Sequence, residues 1–405
     1  MEFSETLIAQ QQVARLQALL EASRQIHSTI RLDEVLNIAL KIVVRELELT
    51  GAFFAAFEHT YGDVSPHLRE LLRDDSTPSG PSLSGLDPSG ESWLRFPLCD
   101  KSGARFTDLV VIFPSSRTLD LDETDFLESL AVQAAVAIEN ARFHERTVQW
   151  QRVQSDLDAA RMVQRSLVPQ EMPQISGYEL AARSVTCYEV GGDYLDLVAR
   201  PSGETIIVVG DVAGKGLASA LVGMSFRSAF RAMVNSNLPL LEIATRMNLL
   251  HYSEGTEARH RYVTAFLIRL DTSRNIIEAV NAGHNPAFLM DAAGNLTRIK
   301  ASGTPIGLLP FSSYKAVEHP LDPGTRLLVY TDGMTEVFRG EEEFGEPRLA
   351  EFFTQSKGLN PQATVDALFE TLATFSLGYD QSDDMTALVL SRDPRAETAI
   401  DGTNG

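Results

Sequence analysis

Cysteine and tryptophan are scarce in this sequence, and the scarcity of cysteine excludes two classes of protein. The 405 residues include two cysteines, Cys99 and Cys187, and two tryptophans. Two cysteines far apart in the chain give no disulfide framework. Neither the cysteines nor the eight histidines are grouped at a spacing that binds zinc. We therefore expect neither a disulfide-rich secreted domain nor a structural zinc site.

Long apolar runs and an excess of basic residues are also missing. No run approaches the roughly 20 residues that a membrane-spanning helix needs. Residues 1–5 are acidic and lack the basic and apolar regions of a signal peptide. With 55 acidic and 35 basic residues the net charge is −20, and a nucleic acid or an anionic membrane would repel such a chain. We predict a cytoplasmic protein.

The length predicts two domains, because a single core rarely serves more than about 300 residues. In the first half, residues 5–47 predict helix with two apolar stripes, the second beginning near Leu32. Strand candidates follow at 52–57, 93–98 and 109–113. Between the first two lies a stretch rich in Ser, Pro and Gly, 74–92, which predicts a loose loop.

A long helix is predicted over residues 122–168. Apolar residues from Leu127 to Val148 follow the 3-4 spacing of a paired helix. A second stripe, from Val153 to Leu167, is out of phase with the first, and the slip falls near Trp150. Such a slip can mark a joint in a signalling helix. Two ordinary amphipathic helices with a bend are an equally good interpretation.

The second half alternates strand and helix patterns. Strand candidates lie at 178–185, 205–209, 262–270, 276–280, 326–330 and 385–390, and helical patterns at 216–236, 240–252 and 361–374. Strands of a mainly antiparallel type, interrupted by helix pairs, predict an α+β sandwich rather than a doubly wound parallel sheet. The polar residues 393–405 predict a disordered tail.

Four short acidic motifs carry the chemistry of this half. They are residues 191–196 (GGDYLD), 210–216 (GDVAGKG), 330–333 (YTDG) and 382–386 (SDDMT). Their carboxylates lie next to apolar strand patterns, and a sheet can bring such strand ends together. Clustered carboxylates repel one another unless cations lie between them. Oxygen-rich sites suit Mg²⁺ or Mn²⁺ rather than zinc. The motifs therefore predict a two-metal hydrolase that acts on phosphate.

Two nucleotide-related motifs are excluded by their spacing. A Walker A loop needs four residues between its glycines and a Ser or Thr after the lysine. Here three residues separate Gly210 from Gly214, and Gly216 follows Lys215. The GGD at 191–193 is similar to the start of the GGDEF signature of diguanylate cyclases, but Tyr-Leu-Asp does not continue it.

Taken in this order, the four motifs resemble the metal-dependent PP2C-like (PPM) protein phosphatases, and most closely the bacterial RsbU and SpoIIE branch. The resemblance covers residues 155–392. Three further stretches support it: residues 158–169, 281–286 (NAGHNP) and 303–307 (GTPIG). One motif alone would be weak, whereas the ordered set is specific.

The resemblance implies a fold, a metal site and a reaction. The fold would be an α-β-β-α sandwich over residues 170–392. Two Mn²⁺ or Mg²⁺ ions would be held by Asp193, Asp211, the backbone carbonyl of Val212, Asp332 and Asp383, with Asp193 bridging them. A metal-bound water would attack the phosphorus in line, with no covalent nucleophile from the enzyme.

The roles of several nearby residues stay open. Asp196 and Asp384 either support a metal ligand through a hydrogen bond or form turns. For His284, in a Gly-His-Asn-Pro turn, a structural role is favoured over that of a general acid. Lys215 is favoured as a surface residue over a phosphate ligand. Eukaryotic relatives hold the phosphate with an arginine just before the first metal aspartate, but residues 184–192 contain none.

The N-terminal half resembles a GAF sensor domain in its layout and in residues 122–127 and 134–142. The expected organisation is a GAF-like domain over 1–145, a linker or signalling helix over 122–168 that overlaps both domains, the phosphatase domain over 170–392 and the tail over 393–405. Domains of this type commonly dimerise, so a homodimer through the GAF-like domain and linker helices is expected. Cys99 is favoured as a core or loop residue over a chromophore anchor.

The expected function is that of a metal-dependent serine/threonine phosphoprotein phosphatase regulated by its GAF-like domain. The resemblance implies a phosphorylated anti-anti-sigma protein of the STAS type as substrate, in a bacterial stress and sigma-factor partner-switching pathway. Two alternatives stay open. One is a catalytically inactive PP2C-like regulator that binds a partner, and the other is chiefly a ligand sensor with the phosphatase half as its output.

Overall fold

The computed structural model describes residue 13 and residues 16–73, 84–86, 90–169 and 171–395. The chain divides into two compact units, Met1–Val153 and Gln154–Gly405. Within the described ranges, no helix is both long and apolar enough to cross a membrane.

The first unit contains an antiparallel sheet with helices on both of its faces. Its elements in chain order are α1 (16–26), α2 (Leu32–Glu46), β1 (Gly51–Phe54), β2 (Thr60–Gly62), α3 (Pro66–Leu71), β3 (Ser84–Leu86), β4 (Glu91–Cys99), β5 (Arg105–Pro114) and the first part of α4 (Leu121–Leu167). The strand order is β2-β1-β5-β4-β3.

Alternation along the strands divides the core of this unit between the two faces of the sheet. Phe54 and Val111 pack in one cluster with α2 and α4. Phe53 and Val110, the next residues along each strand, pack on the other face with Leu68 of α3. Successive side chains of a strand point to opposite faces of the sheet, which explains why neighbouring residues pack in different layers.

Three predictions for the first unit need correction. The predicted helix over 5–47 breaks at residues 27–31, and residues 1–12, 14 and 15 lie outside the described part. The strand predicted at 52–57 ends at Phe54. The predicted loop over 74–92 contains β3 and the start of β4, because Ser84–Leu86 pairs with β4 despite its weak strand propensity.

Helix α4 runs without interruption for 47 residues, so two separate helices do not occur at the slip near Trp150. Its buried residues extend from Phe126 to Ala141. Further along, Phe143, Val148, Trp150 and Val153 are exposed, at 72%, 50%, 69% and 52%. An apolar stripe therefore continues along α4 beyond the core of the first unit.

The second unit is built from two five-stranded antiparallel sheets. Its strands are β6 (Tyr178–Val185), β7 (Tyr194–Ala199), β8 (Thr205–Val212), β9 (Val263–Asp271), β10 (Ile276–Ala282), β11 (Ala287–Met290), β12 (Leu296–Ile299), β13 (Val317–Pro320), β14 (Arg326–Tyr330), β15 (Phe338–Arg339), β16 (Glu342–Glu343) and β17 (Met385–Arg392). One sheet has the order β13-β10-β9-β8-β7 and the other β12-β11-β14-β17-β6. Strands β15 and β16 form a separate short hairpin.

Helices cover the outer face of each sheet. They are α5 (Leu217–Asn235), α6 (Leu240–Ser253), α7 (Thr256–His260), α8 (Gly345–Gln355) and α9 (Pro361–Ser376). On β8, Ile206 and Val208 pack with α5 and α6, whereas Ile207 and Val209 pack against the second sheet. The outer face of the second sheet packs on α8 and α9. These layers form the α-β-β-α sandwich that the resemblance implies.

The predicted strands and helices of this unit are present, and several elements were not predicted. Strands 178–185 and 326–330 have the predicted bounds. Strand β7, the short strands β11 to β13, and α8 were missed. At the C-terminus the amide of Asp393 donates to the carbonyl of Gly177 at 2.9 Å. Residues 396–405 of the predicted tail lie outside the described part.

Candidate active site

Four aspartates of the predicted site come from strand ends of both sheets. Asp193 directly precedes β7, and Asp211 is the penultimate residue of β8. Asp332 lies two residues after β14, and Asp383 lies two residues before β17. Strands β7 and β8 belong to one sheet and β14 and β17 to the other. The cluster, called here the acidic cluster, therefore lies at the seam between the sheets.

Glycine lets the loop before Asp193 approach the end of β8 closely. A Cβ placed on Gly192 would lie 3.0 Å from the carbonyl oxygen of Val212, 3.3 Å from Cβ of Ser219 and 3.5 Å from Oδ1 of Asp211. A side chain at this position would push the two loops apart. The Val212 carbonyl and the Asp211 carboxylate thus lie beside the loop that carries Asp193.

The electrostatics of the acidic cluster are those of a site for cations. Burial, and then the nearby charge of Asp211, raise the pKa of Asp193 well above its ordinary value. Burial, followed by the charges of Asp332 and Asp383, raises the pKa of Asp211 to about 7. The pKa of Asp332 is also raised by burial and by Asp383. Buried carboxylates that raise one another's pKa are stabilised by a cation between them.

Two carboxylates of the cluster are turned toward protein donors. Oδ2 of Asp193 accepts hydrogen bonds from the hydroxyls of Thr331 at 2.9 Å and Thr386 at 2.6 Å. Oδ2 of Asp383 pairs with Nζ of Lys215 at 2.9 Å. Lys215 also donates to the carbonyl oxygen of Ser382 at 2.5 Å. All of these contacts cross the seam between the two sheets.

The donor set fits a divalent cation in its chemistry, whereas its side chains are not arranged around one. Across the described ranges, no group of three His, Cys, Asp or Glu side chains stands ready to hold a metal ion. The aspartates nevertheless lie close enough for their charges, together with burial, to raise the pKa values of Asp193, Asp211 and Asp332.

Asp384 holds the backbone of the loop before Asp193. Its Oδ1 accepts from the amide of Cys187 at 2.7 Å. Its Oδ2 accepts from the amides of Gly192 at 2.6 Å and Asp193 at 3.4 Å. The carboxylate of Asp384 therefore fixes the position of Asp193 through the main chain.

Asp196 makes its contacts away from the cluster. It is fully buried in β7 and accepts two hydrogen bonds from Arg231 of α5, at 2.6 and 2.7 Å. The hydroxyl of Tyr194 donates to it at 2.6 Å, and the ring of Tyr194 packs edge-on against Phe226. These contacts anchor α5 to β7.

His284 is buried behind the site and neutral near pH 7. Burial lowers its pKa to about 4. Its Nδ1 lies 2.9 Å from the hydroxyl of Thr264, which in turn lies 3.5 Å from the carbonyl oxygen of Asp211. A buried neutral imidazole with these contacts supports the ends of β8 and β9, as expected for a structural residue.

Several residues near the cluster were not predicted to act there. Thr331 and Thr386 stand within the acidic motifs, so their hydroxyls could have been suspected from the sequence. The charges of Asp332 and Asp383, after burial, raise the pKa of Glu336. Gln164, near the end of α4, donates to the carbonyl of Gly191 at 2.7 Å and accepts from its amide at 3.2 Å. No local pattern marks Gln164, because its partner lies 27 residues away.

An α-β-β-α sandwich that gathers aspartates from both sheets at its seam defines the class of PP2C-like metal-dependent phosphatases. Residues 201–393 match the family model of Stage II sporulation protein E (SpoIIE). This span contains Asp211, Asp332 and Asp383 and begins eight residues after Asp193. The second unit is therefore similar to the SpoIIE-type domains of the PP2C-like serine/threonine phosphatases.

Curated relatives agree with this assignment. Protein IcfG of Synechocystis sp. is 26% identical over 263 residues, which are 58% of this chain and 41% of IcfG. Phosphoserine phosphatase RsbU of Bacillus subtilis is 25% identical over 60% of this chain and 71% of RsbU. Phosphoserine phosphatase RsbP of the same organism is 29% identical over 45% of each chain. The chain thus spans less than half the length of two of these relatives.

A solved structure supports the fold. The SiaA PP2C domain of Pseudomonas aeruginosa has a TM-score of 0.53 and 24% identity with this chain. The match covers 60% of this chain and 99% of that domain. This chain therefore shares the fold of that domain over nearly the whole length of the domain.

Proposed function

We propose that this protein hydrolyses phosphoserine or phosphothreonine on a protein substrate, with Mn²⁺ or Mg²⁺ bound at the acidic cluster. The observation that carries the proposal is the set of buried aspartates from both sheets that raise one another's pKa at the seam. A cation lowers the free energy of such a cluster, and Mg²⁺ and Mn²⁺ prefer oxygen ligands.

The residues divide into ligands and supports. Asp193, Asp211, the carbonyl of Val212, Asp332 and Asp383 would hold two ions. When bound, these ions would supply Lewis-acid activation of water and neutralise charge on the phosphoryl oxygens. The Thr331 and Thr386 hydroxyls would orient the Asp193 carboxylate from behind, and Asp384 would hold its backbone.

Lys215 is the residue that we assign to the substrate phosphate. Its ammonium group already lies at the cluster, 2.9 Å from Asp383. Once divalent ions neutralise Asp383, this ammonium group can turn to an incoming phosphate. The geometry thus favours the role that the sequence alone made the less favoured one, and it supplies a cation where residues 184–192 have no arginine.

The substrate that we propose is a phosphorylated anti-anti-sigma protein of the STAS type. Support comes from the relatives, since RsbU and RsbP are both named phosphoserine phosphatases. The net charge of −20 does not oppose a protein substrate, because bound ions make the local field at the site more positive.

The first unit, with the linker, would regulate this activity. We propose that residues 1–145 form a GAF-like sensor, 122–168 a signalling helix and 170–392 the phosphatase domain. The antiparallel sheet between α2, α4 and α3 supports a sensor of this type. The exposed apolar residues of α4 beyond Ala141 support a homodimer. The two hydrogen bonds between Gln164 and Gly191 link the end of α4 to the loop that carries Asp193.

The decisive test is hydrolysis by the purified full chain of a phosphoserine STAS protein, with Mn²⁺ and with EDTA. We expect Mn²⁺-dependent release of phosphate that Asp211→Asn abolishes, while the exposed control Asp322→Asn keeps it. Hydrolysis that survives Asp211→Asn would refute the proposal.

For the linker, a two-residue insertion after Trp150 turns the helix by about 200° and is expected to change the regulation of hydrolysis. Unchanged regulation would mean that helix phase carries no signal.

A catalytically inactive regulator is the second candidate. It is favoured by the finding that no three side chains of the described residues are arranged to hold an ion. Titration calorimetry separates the two proposals. Saturable Mn²⁺ binding that Asp383→Asn weakens supports the phosphatase, and absence of Mn²⁺ binding to the folded protein supports the regulator.

A further inference from the structure

A cavity of about 410 Å³ opens beside the acidic cluster. It lies between α9, the start of the β15–β16 hairpin and residues 379–382. Apolar side chains from α9, from β6 and β17 and from the residue before the hairpin line it: Val185, Val337, Phe369, Leu372 and Met385. The proposed metal site and phosphate contact use none of these apolar side chains.

The cavity and the acidic cluster share a wall. Gly333, which lines the cavity, follows Asp332, and Ser382, which also lines it, precedes Asp383. Consecutive Cα atoms are about 3.8 Å apart, so the cavity begins one residue away from two proposed metal ligands. The hydroxyl of Ser382 donates to the carbonyl of Glu336 at 2.5 Å, which ties the two sides of this wall together.

The charges at the cavity are mainly negative. Asp366, Glu370 and Asp380 are exposed lining residues, and the cavity has one cationic lining residue, Arg183. The guanidinium of Arg183 lies 4.5 Å from the centre of the Phe369 ring and 4.0 Å from Asp366. Arg183 is thus already engaged, and Glu370 and Asp380 give the cavity an excess of negative charge that suits a basic partner.

We propose that this cavity is a docking site for the protein substrate and receives one apolar side chain of it, next to a basic residue. The inference rests on the proposed phosphatase function. An extended chain advances about 3.3 Å per residue, so a side chain two or three positions from the phosphoserine reaches the cavity while the phosphate lies at the cluster. Continuity with the cluster and the apolar lining favour a substrate segment over a separate effector.

The test compares two neighbouring substitutions on α9. Ala373 lines the cavity, and Ala373→Trp fills it from an exposed position of the helix. Thr374 is exposed and outside the lining, so Thr374→Trp is the matched control. Each full-length variant is assayed with Mn²⁺ on p-nitrophenyl phosphate, which has no neighbouring peptide side chain to place in the cavity. It is also assayed on phosphoserine peptides that carry a Leu-Lys pair or an Ala-Ala pair at each position within three residues of the phosphoserine.

We expect the wild-type protein to prefer one Leu-Lys peptide over its Ala-Ala counterpart by about tenfold in kcat/KM, because one apolar side chain is buried and a charge is paired. Ala373→Trp should remove the preference and leave p-nitrophenyl phosphate hydrolysis unchanged. Thr374→Trp should keep both. Glu370→Lys with Asp380→Lys should reduce the preference without affecting the small substrate.

Three outcomes would overturn the docking site. They are a wild-type protein without preference among the peptides, a preference that survives Ala373→Trp, and an equal loss on both kinds of substrate. If Ala373→Trp changed the turnover of p-nitrophenyl phosphate and left the peptide preference intact, the cavity would be an effector site instead. Failure of the phosphatase proposal is distinguishable by fluorescence anisotropy. If a labelled Leu-Lys peptide binds the wild type but not Ala373→Trp, and neither protein hydrolyses it, the docking site is supported and the phosphatase proposal is refuted.

Discussion

Replacing Asp211 by asparagine is expected to make the metal-free protein more stable at neutral and higher pH. Asparagine has nearly the shape of aspartate and cannot carry the negative charge. In the folded protein the pKa of Asp211 is about 7, against 3.8 for an ordinary aspartate, because of burial and the carboxylates around it. The charge that is useful for binding an ion therefore destabilises the protein when no ion is bound.

The size and sign of the effect follow from this pKa. The difference from 3.8 corresponds to about 4 kcal/mol of extra free energy in the ionised, folded form, at 1.36 kcal/mol for each pH unit. Side chains can turn apart and water screens them, so we expect a gain of about 1–3 kcal/mol. Because the folded pKa is the higher one, stability is complete below about pH 4 and is lost as the pH rises toward about 7. The gain from Asp211→Asn should therefore be large at pH 8 and absent near pH 4.

The assay must report on the second unit. Both tryptophans, Trp93 and Trp150, belong to the first unit, so their fluorescence does not follow unfolding of the second. Hydrogen exchange of peptides from β7 and β8, with EDTA, gives the free energy of opening of these strands. Wild type, Asp211→Asn and the exposed control Asp322→Asn are compared at equal pH, so intrinsic exchange rates cancel.

The same experiment with Mn²⁺ should reverse the order. Binding to the folded state stabilises it by mass action, so the wild type gains protection from Mn²⁺ and Asp211→Asn gains little. The reasoning is refuted if Asp211→Asn exchanges as fast as the wild type at pH 8 without metal. It is also refuted if the variant is stabilised as much near pH 4 as at pH 8.

Three further substitutions test separate parts of the site. Arg231→Met leaves Asp196 buried without its ion-pair partner and should cost about 3 kcal/mol of stability, with Mn²⁺ affinity per folded molecule unchanged; a loss of affinity would place Asp196 in the metal site. Gly192→Ala adds a Cβ 3.0 Å from the Val212 carbonyl and should weaken Mn²⁺ binding by about tenfold or more, whereas Gly358→Ala, which meets open space, should not. His284→Gln should keep both limbs of the pH profile of kcat, because the buried imidazole is already neutral near pH 7. Loss of one limb in the variant would identify His284 as a general acid or base.

Much of the fold could be predicted from strand and helix patterns, because these reflect local burial. Strands 178–185 and 326–330 both have the predicted bounds. Strand 326–330 is buried along its whole length, whereas in 178–185 only Tyr178 and Ala181 are buried. Strand β3 was missed because Ser84–Leu86 owes its conformation to pairing with β4 rather than to its own residues. Helix α4 is continuous through Trp150, although the apolar stripe changes phase there.

The acidic motifs could be found from the sequence, and their mutual contacts could not. Asp193 receives its hydroxyl partners from residues 138 and 193 positions away, and Lys215 pairs with Asp383 across 168 positions (383 minus 215). Such partners are brought together by the packing of two sheets, which no local pattern specifies. For the same reason the ion pair of Lys215 with Asp383 was not predicted, since the neighbours of Lys215 in sequence suggest only an exposed loop.

The position of the acidic cluster at the seam has a consequence for how the molecule matures. Neither sheet by itself carries the complete set of proposed metal ligands. A partly folded chain in which only one sheet has formed is therefore inactive. Activity therefore requires that the two sheets have docked on each other. Divalent ions that bind to a newly made chain would then stabilise the two sheets in their docked arrangement. Enzyme activity would thus report completed folding, and prolonged metal depletion would expose the chain to opening along the seam.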